Sequence, residues 1–397
     1  MIGMRWKWGH FVLKRLNTLK RKHSQLSQLT EQLHHSEIGD ILENSLIGKR
    51  PEIEECKRLL DSDDVHLMGL VAGYLTRKKF GRCSSFVNNM ILNYTNVCIT
   101  DCKFCAFYRP PSHEESYTVT LDKIESRVKA AWEMFGITQV MFQGGHNPSL
   151  KIEYFEDAFR LIRKKFPKVG IHGLSASEVD MISKVEHTNT KEVLSRLKEA
   201  GMQSIPGAGA EILVDEVKQI ISPKKISSNT WLRIMEEAHG LGIPASATMM
   251  YGHVETRDDV AEHFMKIARL QEKTNGFMAF IPWSFEPNNT LMQKQETVKY
   301  PAGGTQLLKM IAISRIMYND LIPHIQSSWL TNGVAMAQMA LQYGADDFGG
   351  TLLGEEVVSC TGARYTELTG ARIIQAVKQI GYEVEERDNF YNVVRTH

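Results

Sequence analysis

The chain has 397 residues, 43% of them hydrophobic and 23% charged, a composition typical of a soluble protein with one large domain and an appendage. Its 47 basic and 46 acidic residues give a formal net charge of +1, so no global field directs it to nucleic acid. The longest apolar run, 66–75, is too short for a hydrocarbon core of about 30 Å, and we expect no transmembrane span.

Residues 1–30 form a basic N-terminal extension. The first 22 residues hold seven lysines and arginines and no acid, interleaved with tryptophan, phenylalanine and leucine. Such a composition favours weak contact of a short helix with an anionic membrane surface. A frayed extension or an upstream start codon would also explain it.

Residues 31–85 are predicted to form a helical preamble. Ile41, Leu42, Leu46 and Ile47 fall on one face of a helix, and a second apolar stripe follows later in the segment. We expect these helices to pack against the domain that follows.

Residues 86–385 are predicted to form an α/β domain, a (β/α)8 TIM-like barrel. Short β-branched runs alternate there with amphipathic helices, and no linker interrupts them. A barrel of this kind carries its site at the carboxyl ends of its strands. The predicted strands are 90–94, 138–142, 170–174, 203–206, 245–250, 277–282 and 324–328, and an eighth precedes the turn 344–350.

Several intervening helices carry their own end signals. Thr256 and Asp259 form a capping-box pattern, and Gly201 follows an amphipathic run as a helix stop. Ile124 and Val128 keep helical spacing in the first of these helices. These signals support the alternation of strand and helix.

Three cysteines, Cys98, Cys102 and Cys105, form a C-x3-C-x2-C run just after the first barrel strand. A tetrahedral zinc site needs four ligands, and the sequence has no second Cys or His pair at matching spacing. Three thiolates on an iron–sulfur cube leave one iron open for a small chelating ligand. Six cysteines in so long a chain also predict a reducing, cytoplasmic location.

With Phe104 before the last cysteine, the triplet resembles the signature of radical S-adenosylmethionine enzymes. The resemblance implies a [4Fe-4S] cluster on these thiols and S-adenosylmethionine as cosubstrate. By position it assigns the strand-end residues Gln143, Gly144 and Gly145 to the methionine amino group. For the adenosine end and the methionine carboxylate, the candidates at later strand ends are Ser175, Glu178, Glu211 and Lys224.

Aromatic and polar residues at the remaining strand ends favour a flat, partly aromatic small molecule as substrate. A solvated or packing role is open for each of them. The candidates for substrate contact or for the base are His253, Glu255, Trp283, Gln326, Trp329, Asp346, Asp347 and Arg109.

The longer motifs resemble cyclic dehypoxanthine futalosine synthases, radical enzymes of the futalosine route to menaquinone. The similarity covers about residues 60–385 and is carried by 93–98, 105–109, 143–148, 209–216, 222–225, 252–256, 280–283 and 344–349. It departs from the family at Asn88 and Asn89, where relatives usually carry an arginine. The basic extension lies outside it.

The resemblance implies a reaction in which a 5′-deoxyadenosyl radical takes hydrogen from ribose C4′ of a nucleoside-benzoate substrate. The carbon radical adds to the benzoate ring, and loss of an electron and a proton gives a spirocyclic product. It also implies an electron donor of the flavodoxin or ferredoxin type.

Other functions are compatible with parts of the same pattern. Aminofutalosine synthase and the radical halves of deazaflavin synthase share the cysteines, although the later motifs favour the cyclase. An iron–sulfur electron carrier would need no ribose pocket. A structural zinc protein would bind zinc and ignore S-adenosylmethionine.

Overall fold

The computed structural model describes residues 31–298, 301–363 and 367–397. Its strands are β1 Cys83–Val87, β2 Asn89–Asn93, β3 Gln139–Gln143, β4 Gly170–Gly173, β5 Ala245–Tyr251, β6 Phe277–Ser284, β7 His324–Ile325, β8 Asp347–Gly350, β9 Glu383–Arg387 and β10 Val393–Thr396. Its helices are α1 Gly39–Leu46, α2 Ile53–Asp61, α3 Val65–Phe80, α4 Leu121–Phe135, α5 Ile152–Lys165, α6 Ala176–Val185, α7 Thr190–Ala200, α8 Asp215–Ile221, α9 Ser228–Gly240, α10 Arg257–Thr274, α11 Leu291–Lys294, α12 Gly304–Tyr318, α13 Trp329–Asn332, α14 Val334–Gln342 and α15 Gly370–Gln379, with a 3-10 turn at Ser359–Thr361.

The strands from β2 to β8 form a parallel barrel, as predicted. Strands β2, β3 and β4 pair in that order, and β5, β6 and β7 form a second parallel run. The two runs are joined through the predicted strand 203–206, which makes only single bridges, His172 to Ser204 and Ile205 to Ala245. Bridges from Gln326 to Asp347 and from Met90 to Leu353 close the ring on its other side.

Register places the carboxyl ends of neighbouring strands side by side. Asn93 at the end of β2 pairs with Gln143 at the end of β3, and Phe142 pairs with Gly173 at the end of β4. Residues that directly follow these strands therefore meet at one mouth of the barrel.

The helix signals read from the sequence are confirmed. Thr256 and Asp259 form the capping box of α10, and Gly201 is the C-cap of α7. Ile124 and Val128 are buried on α4. In the preamble, Ile41 and Leu42 are buried, but Ile47 is 81% exposed because it follows the end of α1.

Strands outside the barrel extend the domain beyond its predicted limits. Strand β9 pairs with β1 in parallel, and β1 pairs with β8, so a sheet of order β10-β9-β1-β8 adjoins the barrel. The predicted limits at 85 and 385 each fall inside one of these strands. The segment after β9 packs into the amino end of the barrel, where the Asn389 side chain bonds Gln139 and Ser204.

Within the described ranges, none of the helices combines the length and apolar composition needed to cross a membrane. The predicted membrane-surface contact of residues 1–30 lies outside the residues that the structure describes.

Candidate active site

A cavity of about 360 Å³ opens at the carboxyl ends of the barrel strands. Its walls bring together most of the residues predicted from the sequence. These are Cys98, Cys102, Phe104, Cys105, Gln143, Gly144, Gly145, Ser175, Glu178, Glu211, Trp283, Gln326 and Trp329. Residues from the loop after β2 through the loop after β8 therefore share one site.

The cysteine loop after β2 turns its three thiols toward this cavity. Thr100 Oγ1 lies 2.9 Å from Cys98 Sγ and 3.8 Å from Cys102 Sγ, and the Cys105 amide donates to the Cys102 carbonyl at 3.0 Å. The loop is anchored by the Cys98 amide, which donates to the Arg109 carbonyl at 2.9 Å. Burial raises the pKa of Cys102 to about 12 and also raises that of Cys105, so these thiols need a cation to ionise.

The three thiols fit an iron–sulfur cube better than a single metal ion. Among the residues that the structure describes, no three Cys, His, Asp or Glu side chains converge on one ion. A cube gives each thiolate a different iron and leaves the fourth iron without a protein ligand. Cys98, Cys102 and Cys105 lie in one loop on one cavity wall, which suits that arrangement.

Gly144 and Gly145 pack against the protein itself. A Cβ at Gly145 would lie 2.2 Å from the Val97 carbonyl oxygen, and one at Gly144 would lie 2.8 Å from the Tyr94 ring. The Gly145 amide donates to the Thr95 carbonyl at 2.9 Å. Glycine is therefore required here because the end of β3 lies directly against the strand and loop that carry the cluster cysteines.

Glu178 is a saturated carboxylate. Oε2 accepts from the Ser175 amide at 2.7 Å and from its hydroxyl at 2.6 Å, while Oε1 accepts from the Gly144 amide and the Tyr94 hydroxyl, both at 2.9 Å. Burial nevertheless raises its pKa. With four bonds already made, Glu178 has no free position for a ribose hydroxyl, and it joins the ends of β3 and β4 instead.

Glu211 is held between two lysines. Lys225 Nζ lies 2.8 Å from Oε1 and Lys218 Nζ lies 3.1 Å from Oε2. Burial opposes ionisation, but the two cations outweigh it and lower the pKa of Glu211 to about 2. Lys225 also lies over the Phe104 ring, 5.3 Å from its centroid. The pair therefore puts a fixed cation and a fixed carboxylate beside the cluster loop.

Of the two adjacent lysines, the structure brings Lys225 rather than the predicted Lys224 into the cavity. Lys224 is exposed and pairs with Asp101 at 2.7 Å, whereas Lys225 lines the cavity wall. Sequence position alone does not separate them, because both follow the same proline and the backbone path decides which side chain turns inward.

His253 and Glu255, predicted as base candidates, do not line the cavity. His253 Nε2 contacts the Met250 carbonyl at 3.0 Å, and Glu255 accepts from the His253 amide at 2.9 Å. Burial lowers the pKa of His253. Both side chains stabilise the turn after β5.

Arg109 is likewise absent from the cavity wall among the described residues. It pairs with Glu115 at 2.7 Å and donates to the carbonyls of 106–108. The guanidinium therefore braces the segment that follows the cluster cysteines.

The sequence places Asp346 and Asp347 in a turn after the eighth strand, and this prediction is wrong. Strand β8 begins at Asp347, so both acids lie at the end of the barrel opposite the cavity. Asp346 pairs with Arg315 and with His324, the latter at 2.6 Å, and Asp347 pairs with Arg387. These buried pairs occupy both carboxylates.

Comparisons with known proteins agree with this geometry. The profile of the Radical SAM superfamily matches residues 92–267, and that of the CofH/MqnC C-terminal region matches residues 274–397. The chain is 37% identical over 367 residues to cyclic dehypoxanthine futalosine synthase of Streptomyces coelicolor, covering 91% of this chain and 90% of that protein.

The chain belongs to the radical S-adenosylmethionine superfamily, in the cyclic dehypoxanthine futalosine synthase family. It is an enzyme, and it uses a [4Fe-4S] cluster with S-adenosylmethionine, as the superfamily does.

Related enzymes with other names are also similar. Aminodeoxyfutalosine synthase of Thermus thermophilus is 34% identical, over 89% of this chain and 95% of that protein. A 5-amino-6-(D-ribitylamino)uracil–L-tyrosine 4-hydroxyphenyl transferase of Methanoculleus marisnigri is 36% identical, over 89% and 97%. The crystal structure of HydG, a maturase of the [FeFe]-hydrogenase, shares the fold, with a TM-score of 0.71, 16% identity and coverage of 93% and 80%.

The residues predicted at the ends of β6 and β7 to contact the substrate also line the cavity. Trp329 is 2% exposed and donates from Nε1 to the Gly350 carbonyl at 2.9 Å. Gln326 donates to the Tyr391 hydroxyl at 3.3 Å, and Trp283 is half-buried on the same wall. An amide and two indoles thus face the space left beside the cluster loop.

Sequence reasoning missed Glu355, which also lines the cavity. The sequence pattern places the eighth strand before the turn 344–350, whereas β8 is Asp347–Gly350. For this reason the pattern does not predict that Glu355 follows the strand and lies at the mouth of the barrel. Its acidic neighbour Glu356 points elsewhere and accepts from the Tyr117 hydroxyl at 2.6 Å.

Proposed function

We propose that this enzyme converts dehypoxanthine futalosine into its cyclic spiro form, the reaction named for its relative in Streptomyces coelicolor. The observation that carries the proposal is that one cavity joins three cysteines and the Glu211–Lys225 pair to a wall of two tryptophans. The charged methionine end of the cosubstrate and the flat benzoate ring of the substrate would each meet suitable chemistry there.

When bound, the cluster and S-adenosylmethionine together supply a radical that accepts a hydrogen atom from the substrate ribose at C4′. Cys98, Cys102 and Cys105 would hold the cluster. Glu211 and Lys225, fixed 2.8 Å apart, offer an acceptor and a donor for the polar groups of the cosubstrate. Because both charges are buried and paired, little reorganisation is needed when a ligand binds.

The remaining cavity wall would hold the substrate. Trp283 and Trp329 offer flat apolar faces to an aromatic ring, and Gln326 offers an amide to its polar groups. Apolar residues, including Ile91, Met141 and Ile281, line the same space. Their contribution is to exclude water and to hold the donor carbon close to the hydrogen acceptor.

We infer that an electron donor of the flavodoxin or ferredoxin type approaches the cluster loop from outside the barrel. Ile99, between two of the cysteines, is exposed, and Lys224 is exposed beside Asp101. A donor that contacts this face would lie close to the cluster.

The test is an anaerobic assay of the reconstituted, reduced protein with S-adenosylmethionine and dehypoxanthine futalosine, followed by mass spectrometry. The expected result is 5′-deoxyadenosine together with a product two hydrogens lighter than the substrate. Slow formation of 5′-deoxyadenosine with unchanged substrate would contradict the cyclase.

The names of the similar enzymes define the second arm of the assay. If dehypoxanthine futalosine is inert, the substrates of aminodeoxyfutalosine synthase and of the tyrosine 4-hydroxyphenyl transferase are supplied in turn. Turnover of either one would assign the chain to that reaction.

A further inference from the structure

Ring closure leaves one proton to be taken up, and the following inference rests on the proposed cyclisation. The product has two hydrogens fewer than the substrate. One leaves C4′ as a hydrogen atom, so the other must leave the attacked ring carbon as a proton and an electron. A proton acceptor must therefore line the cavity that receives the substrate ring.

Most ionisable side chains on the cavity wall are already committed. Glu178 accepts four hydrogen bonds, and Glu211 lies between two lysines, which lower its pKa to about 2 and make it a weak proton acceptor. Lys225 is one of these two cations. The backbone carbonyl of His146 accepts from the Ile99 amide of the cluster loop at 3.2 Å, and burial lowers the pKa of its side chain to about 3. Glu178 is saturated, Lys225 is a cation, and Glu211 and His146 are weak bases, so none of these groups is suited to take a proton from the substrate ring.

Glu355 differs from these residues in its bonding. Oε1 accepts one bond, from the Val358 amide at 2.7 Å, and Oε2 accepts one, from the Ser359 amide at 3.0 Å. Each oxygen therefore keeps an unused acceptor position. In the described part of the chain no lysine or arginine pairs with it, and burial raises its pKa.

The position of Glu355 also suits the task. It is 7% exposed and lines the cavity after β8. The next residue, Glu356, is tied through its amide to Asn93 Oδ1 at 3.2 Å, so the loop is fixed to the end of β2. Two backbone amides orient the carboxylate, which limits its motion during a proton transfer.

We propose that Glu355 is the carboxylate that accepts the proton lost from the substrate ring. The ring C–H bond breaks and an O–H bond forms on Glu355. The two electrons of the broken bond and the unpaired electron of the ring adduct make three. Two of them restore the aromatic ring, and the third passes to a one-electron acceptor of the iron–sulfur class.

The test compares Glu355→Gln with Glu356→Gln, a matched change at the adjacent acid. Glu355→Gln is expected to form 5′-deoxyadenosine within about twofold of the wild type, while the cyclic product per 5′-deoxyadenosine falls about 100-fold, since general-base catalysis contributes on that scale. Glu356→Gln is expected to keep the wild-type ratio. Melting temperatures of both cofactor-free variants separate this effect from a loss of loop structure.

Glu355→Asp keeps a carboxylate and provides a second test if the amide variant unfolds. It is expected to cyclise with a primary isotope effect on product formation from ring-deuterated substrate, because the shorter acid slows proton transfer. An undiminished product ratio in Glu355→Gln, or no isotope effect in Glu355→Asp, would overturn the assignment. A wild type that makes 5′-deoxyadenosine but no cyclic product would instead overturn the proposed function, and this inference with it.

Discussion

Buried carboxylates lie at both ends of the barrel, and their partners differ. At the mouth, Glu211 faces two lysines, and it lines the cavity. At the opposite end, Asp346 pairs with Arg315 and His324, and Asp347 pairs with Arg387. The acids at the mouth border open space, whereas those at the far end are enclosed by the strands that follow the barrel.

The difference teaches that burial and charge do not by themselves mark a functional acid. Asp347 accepts from Arg387, from the Ser85 hydroxyl and from the Gly349 amide, and Arg387 lies over the Tyr391 ring, 3.7 Å from its centroid. Lysines at the mouth bind Glu211 through single nitrogens and leave acceptor positions free. The far end is therefore built for stability, and the mouth for binding.

The largest effect is expected from Cys98→Ala at the mouth. Without this thiolate the cube loses a ligand, so we expect 5′-deoxyadenosine formation to fall to background and the brown iron–sulfur absorbance to weaken, with circular dichroism unchanged. Cys83→Ala in β1 is the control and should keep both signals. A Cys98→Ala protein that still cleaves S-adenosylmethionine would refute the assignment of the cluster.

At the far end, Asp346→Ala should destabilise the fold rather than change chemistry. Removing one member of a buried ion pair leaves Arg315 uncompensated, at a cost of about 3–5 kcal/mol. The free energy of unfolding in urea measures it. Asp40→Ala breaks the exposed pair with Arg58 and should cost about 1 kcal/mol or less. If Asp346→Ala and Asp40→Ala lost the same free energy of unfolding, the buried ion pair would be no more important for stability than the exposed one.

The adjacent lysines give a smaller, local test of the mouth. Lys225→Met removes a charged hydrogen bond next to the cosubstrate space, so the Kd for S-adenosylmethionine should rise about tenfold or more. Lys224→Met removes only the exposed ion pair with Asp101, so it should change the Kd for S-adenosylmethionine by less than about twofold. Equilibrium dialysis with cluster-loaded protein measures both. A stronger effect at position 224 would reverse their assignment.

The smallest effect concerns pH and the barrel interior. His172 is buried, with Nδ1 2.6 Å from Ser204 Oγ, and burial lowers its pKa to about 3. The unfolded chain therefore binds a proton that the folded chain rejects. The contribution of neutral His172 to the free energy of unfolding is therefore complete above pH about 6.5. It falls as the pH drops toward 3, by up to about 1.4 kcal/mol per pH unit.

Urea unfolding at pH 7.5 and 5.5 checks this for the wild type and His172→Gln. The variant lacks the group that must stay neutral, so the stability difference between the two proteins should narrow by about 1 kcal/mol at the lower pH. A pH-independent difference would show that His172 does not titrate as its burial implies.

Much of the fold could be predicted from the chain because its signals are local. The alternation of strands and capped helices is carried by residues close in sequence, such as Thr256 and Asp259. The C-terminal strands could not be predicted in place, since β9 pairs with β1 across most of the chain. The sequence of a five-residue strand does not indicate which strand it will pair with.

The sequence by itself determined the cluster loop, since the three cysteines, Phe104 and the glycines after β3 stand at fixed short spacings. Only the tertiary structure decided that Lys225 rather than Lys224 faces the cavity, that Asp346 and Asp347 belong to the far end, and that Glu355 lines the mouth. The choice between the lysines depends on the path of the turn after α8, and the other two depend on where β8 begins and ends relative to its neighbours. A shift of one residue in a strand reverses the direction of a side chain, and only long-range pairing fixes that register.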